Sequence, residues 1–230
     1  MATLNASKWG HIDGPQDTSF SNARGATAGT AVEVNPTNTH SDAVRYSRYG
    51  RGTLYYQFNR AFFYFDTSGI SSTPSSATIN IKGGGAFSNA APLNVVASTA
   101  FSGDGSTNLV TGDFDQLNQT KARSTSTVST WSNNSVNSIS LNSTSLGLIG
   151  AQNQFIVALI ENDHDSANQA EQTAELTYVG IDYSTTPYLD YTVGSSGPAN
   201  LTSLNSITKS NITSANTITL ANITSINTIA

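Results

Sequence analysis

Apolar and aromatic residues in this chain come in short bursts, each cut off by turn-forming residues. The bursts are Ala31 to Val34, Gly52 to Phe58, Ala61 to Phe65, Ala77 to Lys82, Leu93 to Ala97, Ser138 to Leu141, Phe155 to Ile160, Ala174 to Ile181 and Tyr188 to Val193. Between them stand Ser71-Ser-Thr-Pro74-Ser-Ser76, Lys82-Gly-Gly-Gly85, Ser102-Gly-Asp-Gly-Ser106 and Ser184-Thr-Thr-Pro187. Short apolar runs punctuated in this way read as many short strands, and their regular spacing points to a sandwich or jelly roll. None approaches the roughly 20 apolar residues of a membrane-spanning helix.

Composition argues in the same direction. Ser (32), Thr (30) and Asn (23) supply 85 of 230 residues. Their side chains hydrogen-bond to nearby backbone and favour turns over helix interiors, while Thr beside Val, Ile, Tyr and Phe suits pleated strands. Disordered chains lack aromatics and carry high net charge; here aromatics reach 9% and the net charge is -5. The best helix candidate, Ser166 to Glu175, runs at once into the strand-like Leu176-Thr-Tyr-Val-Gly180. The expected fold is all-β: a jelly-roll-like antiparallel sandwich over residues 1–194, a linker at 195–199 and a repetitive tail at 200–230.

The tail repeats with a period of 11. Its units begin at Asn200, Asn211 and Asn222, with apolar residues at Leu201, Leu204, Ile207, then Ile212, Ala215, Ile218, then Ile223, Ile226, Ile229. An 11-residue period can mean a right-handed helical supercoil. The intervening places are nearly all Ser, Thr and Asn, each costing about 0.5 kcal/mol of helix propensity relative to Ala, so a β or extended form is favoured. One strand of each repeat cannot enclose its own apolar row. The row therefore reads as an oligomerisation or docking element, and residues spaced by three suit the triangular cross-section of a homotrimer.

Several classes of function find no support. With net charge -5 and no long basic run, the chain lacks the electrostatic footprint that phosphate backbones require, so nucleic acid is not an expected partner. No cysteine is present, which removes disulfides and thiolate metal sites. The N-terminal Met1-Ala-Thr-Leu-Asn-Ala-Ser-Lys8-Trp9 has no apolar core of signal-peptide length, and no membrane association is expected.

Groups able to carry chemistry are few. The histidines are His11, His40 and His164, and no nucleophile elbow or phosphate-binding loop accompanies them. Glu161-Asn-Asp163-His-Asp165 is the densest cluster of oxygen ligands; it is expected to be an exposed acidic loop that needs no ion. Asp113 and Asp115 could suggest a glycosidase carboxylate pair, but fifteen acidic residues scattered over loops make chance proximity the better account. Neither catalysis nor a cofactor is expected. The most distinctive polar cluster is Arg45-Tyr46-Ser-Arg48-Tyr49-Gly-Arg51, with Arg60, Tyr55 and Tyr56 nearby. Arginine forks and tyrosine rings could dock an acidic neighbour or a sugar; residues 54–65 read equally well as core strands.

Arg60-Ala-Phe-Phe-Tyr-Phe-Asp66-Thr-Ser-Gly-Ile70 followed by Ser75-Ser-Ala-Thr-Ile-Asn-Ile81 resembles the N-terminal half of DNRLRE-type β-sandwich domains, and Gly180-Ile-Asp-Tyr-Ser-Thr-Thr-Pro187-Tyr-Leu-Asp-Tyr-Thr192 resembles their closing strand. The name-giving string itself is absent. The tail is similar to the Asn-Ile-x-x-Ile-Asn repeats ending many marine phage structural proteins, with Ser or Thr where those usually carry Gly. Members of that family occur in secreted carbohydrate-active proteins and in phage structural proteins; taken with the missing signal-like segment and the scarcity of catalytic groups, the expectation is a non-enzymatic protein on the exterior of a virion, a head decoration or short fibre, contacting other capsid or tail proteins and acting by multivalent attachment. The alternative it leaves open is a carbohydrate-binding module for host glycans, with Tyr49, Tyr55 or Trp131 exposed as platforms.

Overall fold

The computed structural model describes residues 1–88, 92–170 and 173–193, together with 203–204, 207–208, 214–215 and 218–219. The chain divides into two compact units, Met1–Thr192 and Val193–Ala230. In chain order the strands of the first unit are β1 (Ala2–Asn5), β2 (Lys8–Asp13), β3 (Ala31–Val34), β4 (Thr39–Tyr49), β5 (Tyr55–Asp66), β6 (Pro74–Ser88), β7 (Leu93–Ser98), β8 (Leu117–Ala122), β9 (Val136–Ser140), β10 (Gln154–Glu161), β11 (Glu175–Asp182) and β12 (Tyr188–Val193). Two short α-helices, α1 (Phe20–Arg24) and α2 (Ser143–Ala151), and 3₁₀ turns at Phe101–Gly103 and Thr111–Asp115 lie among them. Among the described residues no helix is long and apolar enough to cross a membrane.

The fold is an antiparallel β-sandwich, as the punctuated runs require. Hydrogen-bonded neighbours follow the path β1-β12-β6-β11-β4-β5-β10-β7-β8, with β9 beside β6 and β2 joined to both β3 and β5. The path folds back on itself, because one core cluster unites Ile79, Ile81, Val179 and Ile181 from one end with Phe63, Phe65, Val157 and Leu159 from the other. A second cluster covers the opposite face of the β5-β10-β7 layer with Phe58, Phe62, Val96, Ile156, Phe101 and Phe114. That layer is therefore buried on both faces, which explains the unbroken Phe155-Ile-Val-Ala-Leu-Ile160 where a half-exposed strand would alternate.

β5 changes partner along its length. Residues 55–59 pair with β4, while residues 59–64 pair with β2. Before this fork β4 pairs with β11 through a register shift, Val179 standing opposite Val44 and Ile181 opposite His40. Two extra residues on β4 make a bulge, a device that re-aims the side chains beside it. The Asn59 amide hooks it by donating to the Asp42 carbonyl at 3.0 Å.

The structure differs from the sequence reading in instructive places. From Tyr55 onward the run Gly52 to Phe58 is one strand with Ala61 to Phe65, because the polar pair Asn59-Arg60 that separates them is buried and bonded rather than turned out. Lys82-Gly-Gly-Gly85 is not a break but strand interior. A Cβ on Gly180 would strike the Gly84 carbonyl oxygen, so these two glycines allow β6 and β11 to meet where Trp131 donates to the Gly180 carbonyl at 3.1 Å. Strands β1, β2, β4 and β8 are additional, as is α2, whose Asn142 cap accepts from the Ser145 amide at 3.0 Å. The candidate helix Ser166 to Glu175 does not form over its described residues beyond Ser166, where the π-helical turn Asn162–Ser166 ends.

In the second unit, β13 (Ser203–Leu204) pairs with β14 (Ile207–Thr208), and β15 (Ser214–Ala215) pairs with β16 (Ile218–Thr219). The two ladders are 11 residues apart and repeat the same register, Leu204 opposite Ile207 and Ala215 opposite Ile218. Leu201, Ile212, Ile223, Ile226 and Ile229, with the linker at 195–199, lie outside the described residues.

Candidate functional site

Two clusters of charged and imidazole side chains lie inside the first unit, and neither was assembled by the sequence reading. The first surrounds Arg60, wholly buried in β5. Its guanidinium meets the Asp165 carboxylate side-on, with Nε and Nη2 each donating at 2.7 Å to separate oxygens. It also donates to the carbonyls of Phe114 and Arg24 at 2.8 Å and lies 4.1 Å from the centre of the Phe114 ring. A bidentate fork of this kind gives a buried charge both a counterion and a fixed orientation.

Asp165 is held in place by the π-helical turn. The buried Glu161 carboxylate accepts from the backbone amides of Asp163, His164 and Asp165 at 2.8, 2.7 and 3.1 Å. The His164 ring stacks on Tyr46 at 3.7 Å, with its nitrogens 3.2 Å from Glu161 and 3.4 Å from Glu175. Burial pushes the His164 pKa down, but hydrogen bonding and charge from Glu161, with Glu175 and Asp163, push harder the other way, and the net value is raised. The expectation of an exposed acidic loop is corrected here: Glu161, His164 and Asp165 are buried and Asp163 is half-buried. Along the sequence their oxygens read as metal ligands or solvated charges, because nothing local pairs them with Arg60, 105 residues away from Asp165.

The second cluster sits at the fork between β2 and β4. His11 on β2 stands directly opposite Glu33 on β3, and the His40 ring lies 3.8 Å from the His11 ring. One ligand atom from each of His11, Glu33 and His40 falls within 4.8 Å of the others. His40 Nε2 is 3.8 Å from Glu33 Oε1, and its Nδ1 is 3.3 Å from Asp42 Oδ1. Burial, and then the neighbouring His40, lower the His11 pKa to about 3, so its imidazole is neutral. The Asp13 carboxyl is raised, first by burial and then by Asp42. His11 Nδ1, Asp13 Oδ1 and the Tyr183 hydroxyl are all buried without a hydrogen-bond partner. Sequence reasoning missed the trio because Lys8 to Asp13 was not read as a strand; the alternation of Trp9, His11 and Asp13 against Gly10 and Ile12 was the available signal.

The surface cluster is split by its strand. Tyr46 is buried and belongs to the His164 stack, which corrects its assignment as a partner contact. Arg45 and Arg48 are half-buried, Arg45 pairing with Asp42 at 3.1 Å and Arg48 lying over the Tyr56 ring. Arg51 is exposed, and Tyr49 and Tyr55 are exposed cross-strand partners at the end of the β4-β5 ladder. Trp131 is buried, so it is no platform. Asp113 is buried and accepts from the amides of Phe101 and Val110 at 3.2 Å, while Asp115 contacts the Gln116 amide at 2.8 Å. No family model and no curated protein matches the sequence.

Proposed function

We propose that the chain is a non-enzymatic structural protein of a virion exterior, a capsid decoration or short fibre, in which the sandwich is displayed and the tail assembles it into a homotrimer or docks it on another virion protein. The observation that carries this reading is the pair of identical short ladders 11 residues apart in the tail. A two-stranded ladder is marginal in water by itself and needs further strands or a packing partner, so a tandem of such ladders calls for cover from neighbouring copies. The virion setting rests on the resemblance of the sequence motifs. Asp113 supports the non-enzymatic reading, since its carboxylate is spent on two backbone amides.

Sedimentation of the full chain and of a chain ending at Gly194 tests the proposal. The full chain is expected to run as a trimer and the shortened one as a folded monomer; trimers from the shortened chain would sink it. Mass spectrometry of purified particles tests the location.

A carbohydrate-binding reading is favoured by one feature, the exposed Tyr49 and Tyr55 in register beside Arg51. A glycan array with the sandwich separates the two readings: binding lost in a Tyr49→Ala, Tyr55→Ala double variant would favour it, and an array without signal favours a purely structural role.

A further inference from the structure

The Arg60 cluster accounts for its own charges, whereas the cluster at the β2-β4 fork does not. Buried polar atoms are almost always hydrogen-bonded, so four unpartnered ones around His11, with His40 Nδ1 beside those of His11, Asp13 and Tyr183, need an explanation. His11 makes the case sharpest. It is 99% buried by its 1% exposure, its Nδ1 has no partner, and the ring touching it is a second imidazole. A buried imidazole pair with a carboxylate is costly as bare polar surface, but it is the donor set that borderline divalent cations take.

We propose that His11, His40 and Glu33 bind a divalent late first-row transition-metal cation, Zn²⁺ being the simplest case, and that the ion ties β2, β3 and β4 together at the fork. The geometry is close to what such an ion needs. Zinc bonds of about 2.0–2.2 Å place tetrahedral donor atoms about 3.3–3.6 Å apart, and His40 Nε2 and Glu33 Oε1 are already 3.8 Å apart. The remaining closure, from 4.8 Å at most, is within reach of the half-exposed Glu33 side chain. Asp42 Oδ1 lies 3.3 Å from His40 Nδ1, which makes no hydrogen bond as it stands, so a carboxylate is at hand for the outer role that metal-bound histidines use. The β4 bulge falls between His40 and Val44 and so sets where His40 and Asp42 point. With three protein donors, the fourth position is left for water or a neighbouring group. The role assigned is structural, since the ion would lock the point where β5 exchanges β4 for β2.

Titration of the tag-free full chain with Co²⁺, followed by its visible absorption, and with Zn²⁺, followed by calorimetry and thermal melting, tests this. Saturable binding near one ion per chain is expected, with intense tetrahedral-type cobalt bands that Zn²⁺ abolishes and Mg²⁺ or Ca²⁺ does not. Zn²⁺ should raise the melting temperature by several degrees and a chelator should reverse it. Glu33→Gln, a substitution on a half-exposed side chain that leaves the fold intact, is expected to weaken binding by at least about tenfold, as is His40→Gln. His164→Gln should bind as the wild type does. No saturable binding in the wild-type chain, or equal affinity in Glu33→Gln and His40→Gln, would overturn the assignment.

Discussion

The Arg60 cluster and the fork cluster are both buried, both mix charged groups with imidazole, and both join strands distant in sequence, yet their polar atoms are treated differently. Around Arg60 each guanidinium nitrogen and each oxygen of Asp165 has a partner, down to the amides that hold Glu161, and His164 Nδ1, which makes no hydrogen bond, still faces the Glu161 carboxylate at 3.2 Å. At the fork, His11, Asp13 and Tyr183 each keep a buried polar atom without one. A paired network specifies structure; an unpaired one costs stability, and a protein keeps it where something else completes it. On the metal proposal, the difference separates the part of the molecule that holds the fold from the part left for an ion.

The largest effect comes from breaking the paired side. Asp165→Ala removes the counterion of a wholly buried guanidinium and leaves the charge uncompensated. Losing one partner of a buried pair costs about 3–5 kcal/mol, which should appear as a large drop in the urea midpoint with little change in slope. A cost below about 1 kcal/mol would mean that Arg60 finds water or another carboxylate, and that the cluster is less closed than its distances indicate.

The opposite sign is expected at the fork. His11→Leu removes an unpartnered buried nitrogen and leaves apolar volume against Tyr183 and the core. Exchanging an unsatisfied polar group for an apolar one of similar size is neutral to stabilising, so in chelator the variant should match or exceed the wild type by up to about 1 kcal/mol. With Zn²⁺ present the order should reverse, because only the wild type gains from the ion. Destabilisation in chelator comparable to Asp165→Ala would erase the contrast between the two clusters.

The contrast also marks where the sequence stopped being legible. Short-range pattern is enough for the sandwich: apolar runs and turn chemistry located β3, β7, β10, β11 and β12 to within a residue or so. It failed where a residue's meaning depends on a distant partner. Arg60 reads as an interruption until Asp165 is brought against it, and the glycines of β6 read as turn formers until Gly180 arrives across the ladder. The same holds for the sites. Tyr46 and Tyr49 look alike in Arg45-Tyr-Ser-Arg-Tyr49, and only the stack on His164 separates the buried ring from the exposed one. His11, Glu33 and His40 lie far enough apart along the chain that no spacing rule for metal ligands joins them.

A pH effect sharpens the paired side further. The His164 pKa is raised in the folded chain, so the folded state holds its proton more tightly than the unfolded one. The stabilisation is therefore fully present below the unfolded value of about 6.5 and is lost as pH rises through the raised folded value. Stability followed from pH 5 to pH 9 should fall as the pH rises above the unfolded value, and His164→Gln should flatten that fall. A wild-type profile that rises over this window would show that Glu161, Glu175 and Asp163 do not hold the proton.

The smallest effect belongs to a pair that joins the glycine-rich stretch of β6 to β11 near the surface. Lys82 Nζ lies 2.8 Å from Asp182 Oδ2, and the Ser184 amide donates to Asp182 Oδ1 at 3.0 Å. Hydrogen bonds from Lys82 and Ser184 lower the Asp182 pKa to about 2. The sign is opposite to that of His164: the contribution is present above the unfolded carboxyl value of about 3.9 and disappears as pH falls through about 2. Solvent reaches both side chains, 29% and 12% exposed, so the pair is worth no more than about 1 kcal/mol. Lys82→Met removes the first-named partner and leaves Ser184, which should return the carboxyl part of the way toward its ordinary value and move the acid unfolding limb to slightly higher pH. Stability at pH 7 should change by less than about 1 kcal/mol. An acid limb that does not move would assign the depressed pKa to the Ser184 turn alone and leave the meeting of β6 and β11 to the close approach of Gly84 and Gly180.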